Sequence, residues 1–139
     1  MRTLTRKQFV NWLVRRAEKD KGIWLLTGDL GFGFLHEFAE KFPNRFINCG
    51  IAEQSMVGIA CGLALMGKKP FIYSTSTFLI FRALEQIRND IYYQKLDVTL
   101  VGTAGPQYNF LGYTHVIKDD EDIKVLNAIG KNIKYIRLI

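Results

Sequence analysis

The sequence predicts an α/β domain of three layers, a mostly parallel sheet covered by helices on both faces. Two observations lead there. Short runs of consecutive apolar residues alternate along the chain with segments of helical period, and strands buried on both faces read as continuous apolar runs. The chain has 139 residues, of which 48% are hydrophobic, enough for one core. Residues 1–139 are therefore expected to form a single domain.

Taken in order, Thr5 and Gln8 have capping-box spacing ahead of a helix whose Phe9, Leu13 and Ala17 share a face, with Gly22 as its terminator. Ile23 to Thr27 reads as a buried strand running into G-D-L-G-F-G at Gly28 to Gly33. A short helix follows, with Leu35, Phe38 and Phe42 inward and Pro43 near its end, and Arg45 to Cys49 is the second strand. The stretch N-C-G-I-A-E-Q-S-M-V-G-I-A-C-G-L-A-L-M-G, Asn48 to Gly67, then places Glu53 in the first turn of a helix that is apolar almost all round. Such a helix is expected to lie inside a protein. Gly58, Ala60, Gly62 and Ala64 give it a smooth face against which another backbone can pack. Its apolar run from Met56 to Met66 is too short to span a bilayer.

Phe71 to Tyr73 is the third strand, Ser74 to Thr77 a polar bend, and Phe78 to Gln94 a long helix with Ala83, Ile87 and Ile91 at helical spacing. Val98 to Val101 is the fourth strand. The connection from Gly102 to Lys118 is long for a compact domain, and such loops usually carry function. Asp119 to Ile129 reads as a helix with Ile123, Leu126 and Ile129 inward, and Ile133 to Leu138 as a fifth strand.

The net charge of +6 is dispersed among acidic residues rather than gathered into a stripe, which argues against a nucleic-acid interface. The N-terminus has no long apolar segment or small-residue cleavage site, so a cytoplasmic protein without a membrane anchor is expected. Cys49 and Cys61 have no Cys/His cluster near them and read as reduced, buried hydrophobes; no metal ligands are assigned to this chain.

In parallel sheets ligands bind beyond the carboxyl ends of the strands. That rule gathers Gly28–Gly33, Cys49–Glu53, Ser74–Phe81 and Gly102–His115 onto one rim. The glycines of the first stretch fit neither G-x-G-x-x-G nor a Walker A loop. On residue type alone each candidate keeps two readings. Asp29 either caps the next helix or orients a ligand. Glu53 either complements a helix dipole or acts chemically. Phe78 and Phe81, three apart, are core or pocket wall, and His115 is an exposed loop residue or a site residue.

N-C-G-I-A-E-Q-S-M-V-G-I-A-C-G-L-A at Asn48 to Ala64 resembles the hallmark segment of the pyrimidine-binding domain of transketolase and 1-deoxyxylulose-5-phosphate synthase. Further likenesses keep the family's order. Pro70 to Tyr73 and then T-F-L-I-F-R-A resemble its next strand and pocket helix, Ile91 to Val101 its following strand segment, G-Y-T-H at Gly112 to His115 its substrate loop, and E-D-I-K-V-L-N-A-I the helix after that. The resemblance implies a thiamine-diphosphate-binding fold of the pyrimidine-domain type. It implies that Glu53 hydrogen bonds to ring N1′ and promotes the imino form that removes the thiazolium C2 proton, with apolar enclosure suiting a short bond to that nitrogen. It also implies that Phe78, Phe81 and Leu84 wall the aminopyrimidine, that Asp29 and Leu30, in the family's A-D-L turn, and Ile51, just ahead of Glu53, lie on the cofactor side, and that His115 faces substrate.

Departures are as informative. Leu111, Val116 and Thr103 stand where transketolases carry an aspartate, a glutamine and, roughly, a histidine, so the sugar side of the pocket is expected to differ. The family's diphosphate motif, G-D-G followed at a distance by asparagine, does not occur in this sequence. The expectation is a split enzyme: a separate G-D-G subunit holds Mg2+ and the diphosphate, this chain holds the pyrimidine, and the homo- or hetero-oligomer transfers a two-carbon ketol or acyl unit of a small phosphorylated or hydroxylated ketose or 2-oxoacid. The alternative is a structural or regulatory module with no chemistry.

Overall fold

The computed structural model describes residues 2–104 and 112–139; Leu111 and the middle of the expected rim loop lie outside them. Six strands, β1 (Arg2–Leu4), β2 (Ile23–Thr27), β3 (Phe46–Asn48), β4 (Lys69–Thr75), β5 (Thr99–Thr103) and β6 (Lys134–Leu138), pair in the order β1-β6-β5-β4-β2-β3. Every pairing is parallel. The α/β expectation holds, with one strand more than the sequence suggested. β1 is only three residues long and sits at an edge, matching Arg2, Thr3 and Leu4 to Ile136, Arg137 and Leu138. So short a segment has no period to read.

Successive residues of a strand face opposite sides, and β4 shows what each side meets. Phe71 and Tyr73 pack with Phe9, Leu13 and Phe38 from α1 (Arg6–Lys19) and α2 (His36–Lys41). Ile72 packs instead with Met56, Val57 and Ala60 of α3 (Glu53–Leu65), with Ile80 and Ile87, and with Leu126 of α5 (Glu121–Ile129). Helices thus cover both faces. The capping box of α1 forms as expected: the Gln8 N–H donates to Thr5 Oγ1 at 3.2 Å and the Thr5 N–H to Gln8 Oε1 at 3.0 Å.

Three elements depart from the sequence reading for physical reasons. α3 is not enclosed: it seats Met56, Val57, Ala60 and Cys61 on the sheet but leaves Gly58, Ile59 and Gly62 exposed, with Leu65 and Met66 exposed at its C-terminal end. A uniformly apolar helix cannot tell from its own sequence which side has a neighbour. The expected long helix after β4 is a helical run with a π-wound turn at Phe78–Arg82, a short α4 at Leu84–Gln86, and a second π-wound turn at Ile87–Tyr92. The expected bend at Ser74 to Thr77 does not form, because Ser74 and Thr75 continue β4 in register with Gly102 and Thr103 of β5 and Ser76 and Thr77 already wind as helix. Pro70 is tolerated in a central strand because the β5 ladder starts only at Phe71. At α5, Asp119 and Asp120 take left-handed φ values of 47° and 54°, so regular helix starts at Glu121. Its wholly buried residues include Asp122, while Ile123 and Ile129 are only partly buried.

The strand order places a switch point between β2 and β4. From β2 the chain moves outward to β3, then crosses back over β2 to β4 on its other side. The carboxyl ends of β2 and β4 therefore flank the point where the winding reverses, the usual ligand position in such sheets. Beside it, Ser76 donates to the Tyr135 hydroxyl at 2.8 Å, which donates to Asp122 Oδ2 at 2.7 Å; Arg137 Nε binds the same carboxylate at 3.0 Å. Burial and the Asp122 charge push the Tyr135 phenol far above its ordinary pKa, so it remains a donor.

Gly102 lies directly under this network: a Cβ there would stand 2.4 Å from Ser76 Oγ and 2.7 Å from the Tyr135 hydroxyl. Gly102→Ala should therefore lower stability by about 2 kcal/mol through overpacking, measured as a shift of the urea midpoint at unchanged slope; a midpoint equal to wild type would show that the network yields freely.

Candidate functional site

Glu53 opens α3 at the switch point, with its side chain 3% exposed. A carboxylate so placed gains from the helix dipole but loses hydration, and two donors offset that loss. Ser74 of β4 donates to Oε1 at 3.2 Å, and Arg82 Nη1 reaches Oε1 at 3.3 Å and Oε2 at 3.1 Å. The apolar enclosure expected for Glu53 is thus replaced by an ion pair. The pair is one-sided, because the Arg82 side chain is 45% exposed.

Arg82 also ties the other candidates together. Its guanidinium carbon lies 3.7 Å from the centroid of the Phe78 ring, and that ring meets His115 edge-on at 4.6 Å and 72°. Phe78 and Arg82 bound the π-wound turn that follows β4, and such turns recur at functional sites. His115 lies in the 3-10 turn Tyr113–His115, where Thr114 Oγ1 sits 2.8 Å from its Nδ1. Glu53, Phe78 and His115, predicted separately from three stretches, are therefore linked through Arg82, which the sequence reading passed over. The available signal was a lone cation in the otherwise apolar T-F-L-I-F-R-A.

Asp29 stands apart from this cluster. It has φ 58°, and its carboxylate does not cap α2, whose N-cap position is Leu35 with no side-chain bond. Instead Asn48, at the end of β3, accepts from the Asp29 N–H at 3.1 Å and the Gly50 N–H at 3.0 Å, and donates through Nδ2 to Asp29 Oδ1 at 2.9 Å. The two loops are thereby clamped side by side. Leu30 is closed onto Thr27, whose hydroxyl accepts its N–H and donates to its carbonyl. Ile51 is 75% and Phe81 41% exposed on the rim, while Leu84 packs, partly buried, against the core that contains Met56 and Ile80.

These residues suit a flat, nitrogen-rich ring. A buried carboxyl stands beside a partly buried aromatic face, and the backbone comes close where Gly28 has no side chain: a Cβ there would lie 3.5 Å from Ser74 Oγ, 3.6 Å from the Gly50 carbonyl and 3.7 Å from Glu53 Oε1. Two buried hydroxyls at the rim, Thr77 Oγ1 and Thr103 Oγ1, have no hydrogen-bond partner among the described residues. Those residues also contain no group of three His, Cys, Asp or Glu able to hold a metal ion.

The sequence matches the family model for transketolase, pyrimidine binding domain, over residues 2–131. This chain belongs to that family. It is 41% identical over 131 residues to an apulose-4-phosphate transketolase subunit of Phocaeicola vulgatus, covering 92% of this chain and 41% of that protein. It is 36% identical over 120 residues to a 6-deoxy-6-sulfo-D-fructose transketolase subunit of a Clostridium species, covering 85% and 37%. Among solved structures it superposes on a split gene transketolase described as an inactive beta4 tetramer, with TM-score 0.76 and 31% identity over 99% of this chain and 52% of that one. The chain thus spans about two fifths of the length of these two curated relatives.

Both thiols are held above their ordinary pKa by burial, Cys61 to about 11, with Asp90 adding to the effect there. Iodoacetamide at pH 8 should therefore modify Cys61 only on unfolding, since on the order of one thiol in a thousand is ionised; mass spectrometry showing rapid labelling of the folded protein would contradict this. Asn48→Ala should cost about 2 kcal/mol in denaturant titration by leaving the Asp29 and Gly50 N–H groups without their acceptor, whereas a loss under about 0.5 kcal/mol would mean that the loops hold each other without it.

Proposed function

We propose that this chain is the pyrimidine-binding part of a split, thiamine diphosphate-dependent transketolase-like enzyme that transfers a two-carbon ketol or acyl unit. The observation that carries the reading is Glu53: a buried carboxyl at the switch point between β2 and β4, bridged by Arg82 to the aromatic ring of Phe78. Bound thiamine diphosphate supplies the carbon nucleophile and electron sink for breaking a bond next to a carbonyl. This chain's part is to bind, orient and exchange a proton. Glu53 holds the N1′ edge of the ring, and Phe78 and Phe81 offer aromatic faces to it. Leu84, Leu30 and Ile51 supply apolar surface that keeps water from the ring, Asp29 orients the cofactor side of the site, and His115, packed on Phe78, binds substrate hydroxyls or moves a proton in later steps.

The diphosphate and Mg2+ call for other ligands, and we assign them to a separate subunit with a G-D-G motif. The names of two relatives, each called a subunit of a transketolase, support a divided enzyme. Those names carry different sugars, which agrees with a substrate side that varies; Thr103 and Val116 mark that side here. The substrate class is a small phosphorylated or hydroxylated ketose or 2-oxoacid. No helix among the described residues is long and apolar enough to cross a membrane, and a cytoplasmic oligomer remains the proposal. The second reading, a non-catalytic module, draws on the solved relative described as an inactive beta4 tetramer.

The discriminating experiment co-purifies the chain with its partner subunit and follows thiamine diphosphate by calorimetry and C2 hydrogen exchange by NMR. Glu53→Gln should slow exchange by about 10²–10⁴-fold. Exchange at the wild-type rate would remove Glu53 from the chemistry, and absence of cofactor binding by the wild-type pair would favour the structural module.

A further inference from the structure

Arg82 engages two groups that the thiamine reading reserves for the ring, and it engages them together. Nη1 donates to both oxygens of Glu53, at 3.3 and 3.1 Å, while the guanidinium lies 3.7 Å over the Phe78 centroid. A carboxyl edge and an aromatic face are what an aminopyrimidine needs here. A guanidinium resembles that ring in the relevant respects: it is planar and delocalised, it presents N–H groups in its plane, and its flat side stacks on aromatic rings. The two cannot use the same carboxylate edge and the same ring face at once.

We infer that Arg82 is an internal surrogate for the aminopyrimidine, occupying the ring's place on Glu53 and Phe78 and leaving it when the ring binds. The inference rests on the thiamine reading of the site and adds a residue that sets cofactor affinity. Arg82 is built to leave. Its side chain is 45% exposed against 3% for Glu53, so its charge can return to water while the carboxylate stays in place. It sits at the end of a π-wound turn, next to the non-helical Ala83, where rewinding displaces the side chain without unfolding β4. Ser74 keeps its own hydrogen bond to Glu53 Oε1 at 3.2 Å, so the carboxyl remains in place at the switch point after the cation departs.

The consequence is a competition. If the ring binds only the arrangement in which Arg82 has let go, the apparent dissociation constant is the intrinsic one divided by the fraction of that arrangement. A contact favoured about tenfold then weakens cofactor binding about tenfold. A purely structural ion pair predicts the opposite, because removing Arg82 would leave Glu53 disordered. A direct cofactor-binding arginine also predicts the opposite.

The test uses the full-length chain co-purified with its partner subunit, titrated calorimetrically with thiamine diphosphate and Mg2+, and melted without cofactor. Arg82→Gln should bind about tenfold more tightly, about 1.4 kcal/mol, while melting at a lower temperature than wild type without cofactor. Arg82→Lys, which keeps the charge but loses the planar stacking group, should fall between the two and guards against poor folding of the first variant. Wild-type binding with both variants equal or weaker would overturn the surrogate and leave the thiamine reading intact. No binding by wild type or by either variant would end both.

Discussion

The constraint on which the site depends is that a carboxylate must be kept dry at the point where the sheet reverses its winding. Glu53 has little choice of position: it begins α3, and α3 begins where the crossover from β3 must pass behind β2 toward β4. The helix dipole contributes up to about 1 kcal/mol at such a position, less than the several kcal/mol that burying an ion costs. The remainder must come from donors on β4 and on the turn after it, and Ser74 and Arg82 are those donors. Because Arg82 is half exposed, breaking the pair costs less than the roughly 3–5 kcal/mol of a fully buried one. That intermediate strength holds the acid in place and still lets the cation be removed.

The donors are themselves held. Ser76, two residues after Ser74, is tied through Tyr135 to Asp122, and Arg137 grips Asp122 from β6 and Asp120 at 2.6 Å. The network joins the residue just after β4 to β6 and α5 on the side of the sheet that carries α3. Its members are almost wholly buried except for Arg137 and Asp120, so it behaves as a fixed support rather than a mobile arm. The bond with Arg137 Nη2 keeps Asp122 as the acceptor and Tyr135 as the donor. Rigidity therefore lies beneath the rim and adjustability at Arg82.

Much of this was legible in the chain. A continuous apolar run placed β2 at its observed bounds, because a parallel strand buried on both faces leaves few polar positions to confuse the reading, and β6 was placed within a residue although it carries Lys134 and Arg137. Thr5 and Gln8 announced the start of α1 through chemistry local to four residues. Glu53 was visible as one acid in an apolar helix, and the resemblance supplied a role. What escaped depended on distant partners. β1 exists because β6 offers an edge. The outward side of α3 follows from the sheet's geometry and not from composition. Ser74 and Thr75 stay in the sheet because Gly102 and Thr103 lie opposite. Arg82 escaped notice because nothing near it in sequence reveals that Glu53, twenty-nine residues earlier, is within reach.

The residues around Asp29 and those around Arg82 divide the work of the site. Asp29 and Gly50 are fixed by Asn48 through three hydrogen bonds that involve no charge partner outside the two loops, so this wall of the site is made before any ligand arrives. The opposite wall, Phe78 and His115, is held by stacking and by one cation, contacts of about 0.5–2 kcal/mol each. A site with one rigid and one yielding wall can keep the Glu53 carboxyl in register while the aromatic wall adapts. The Glu53–Arg82 contact is where those two requirements meet, which is why a single arginine can influence both the stability of the domain and its readiness to bind.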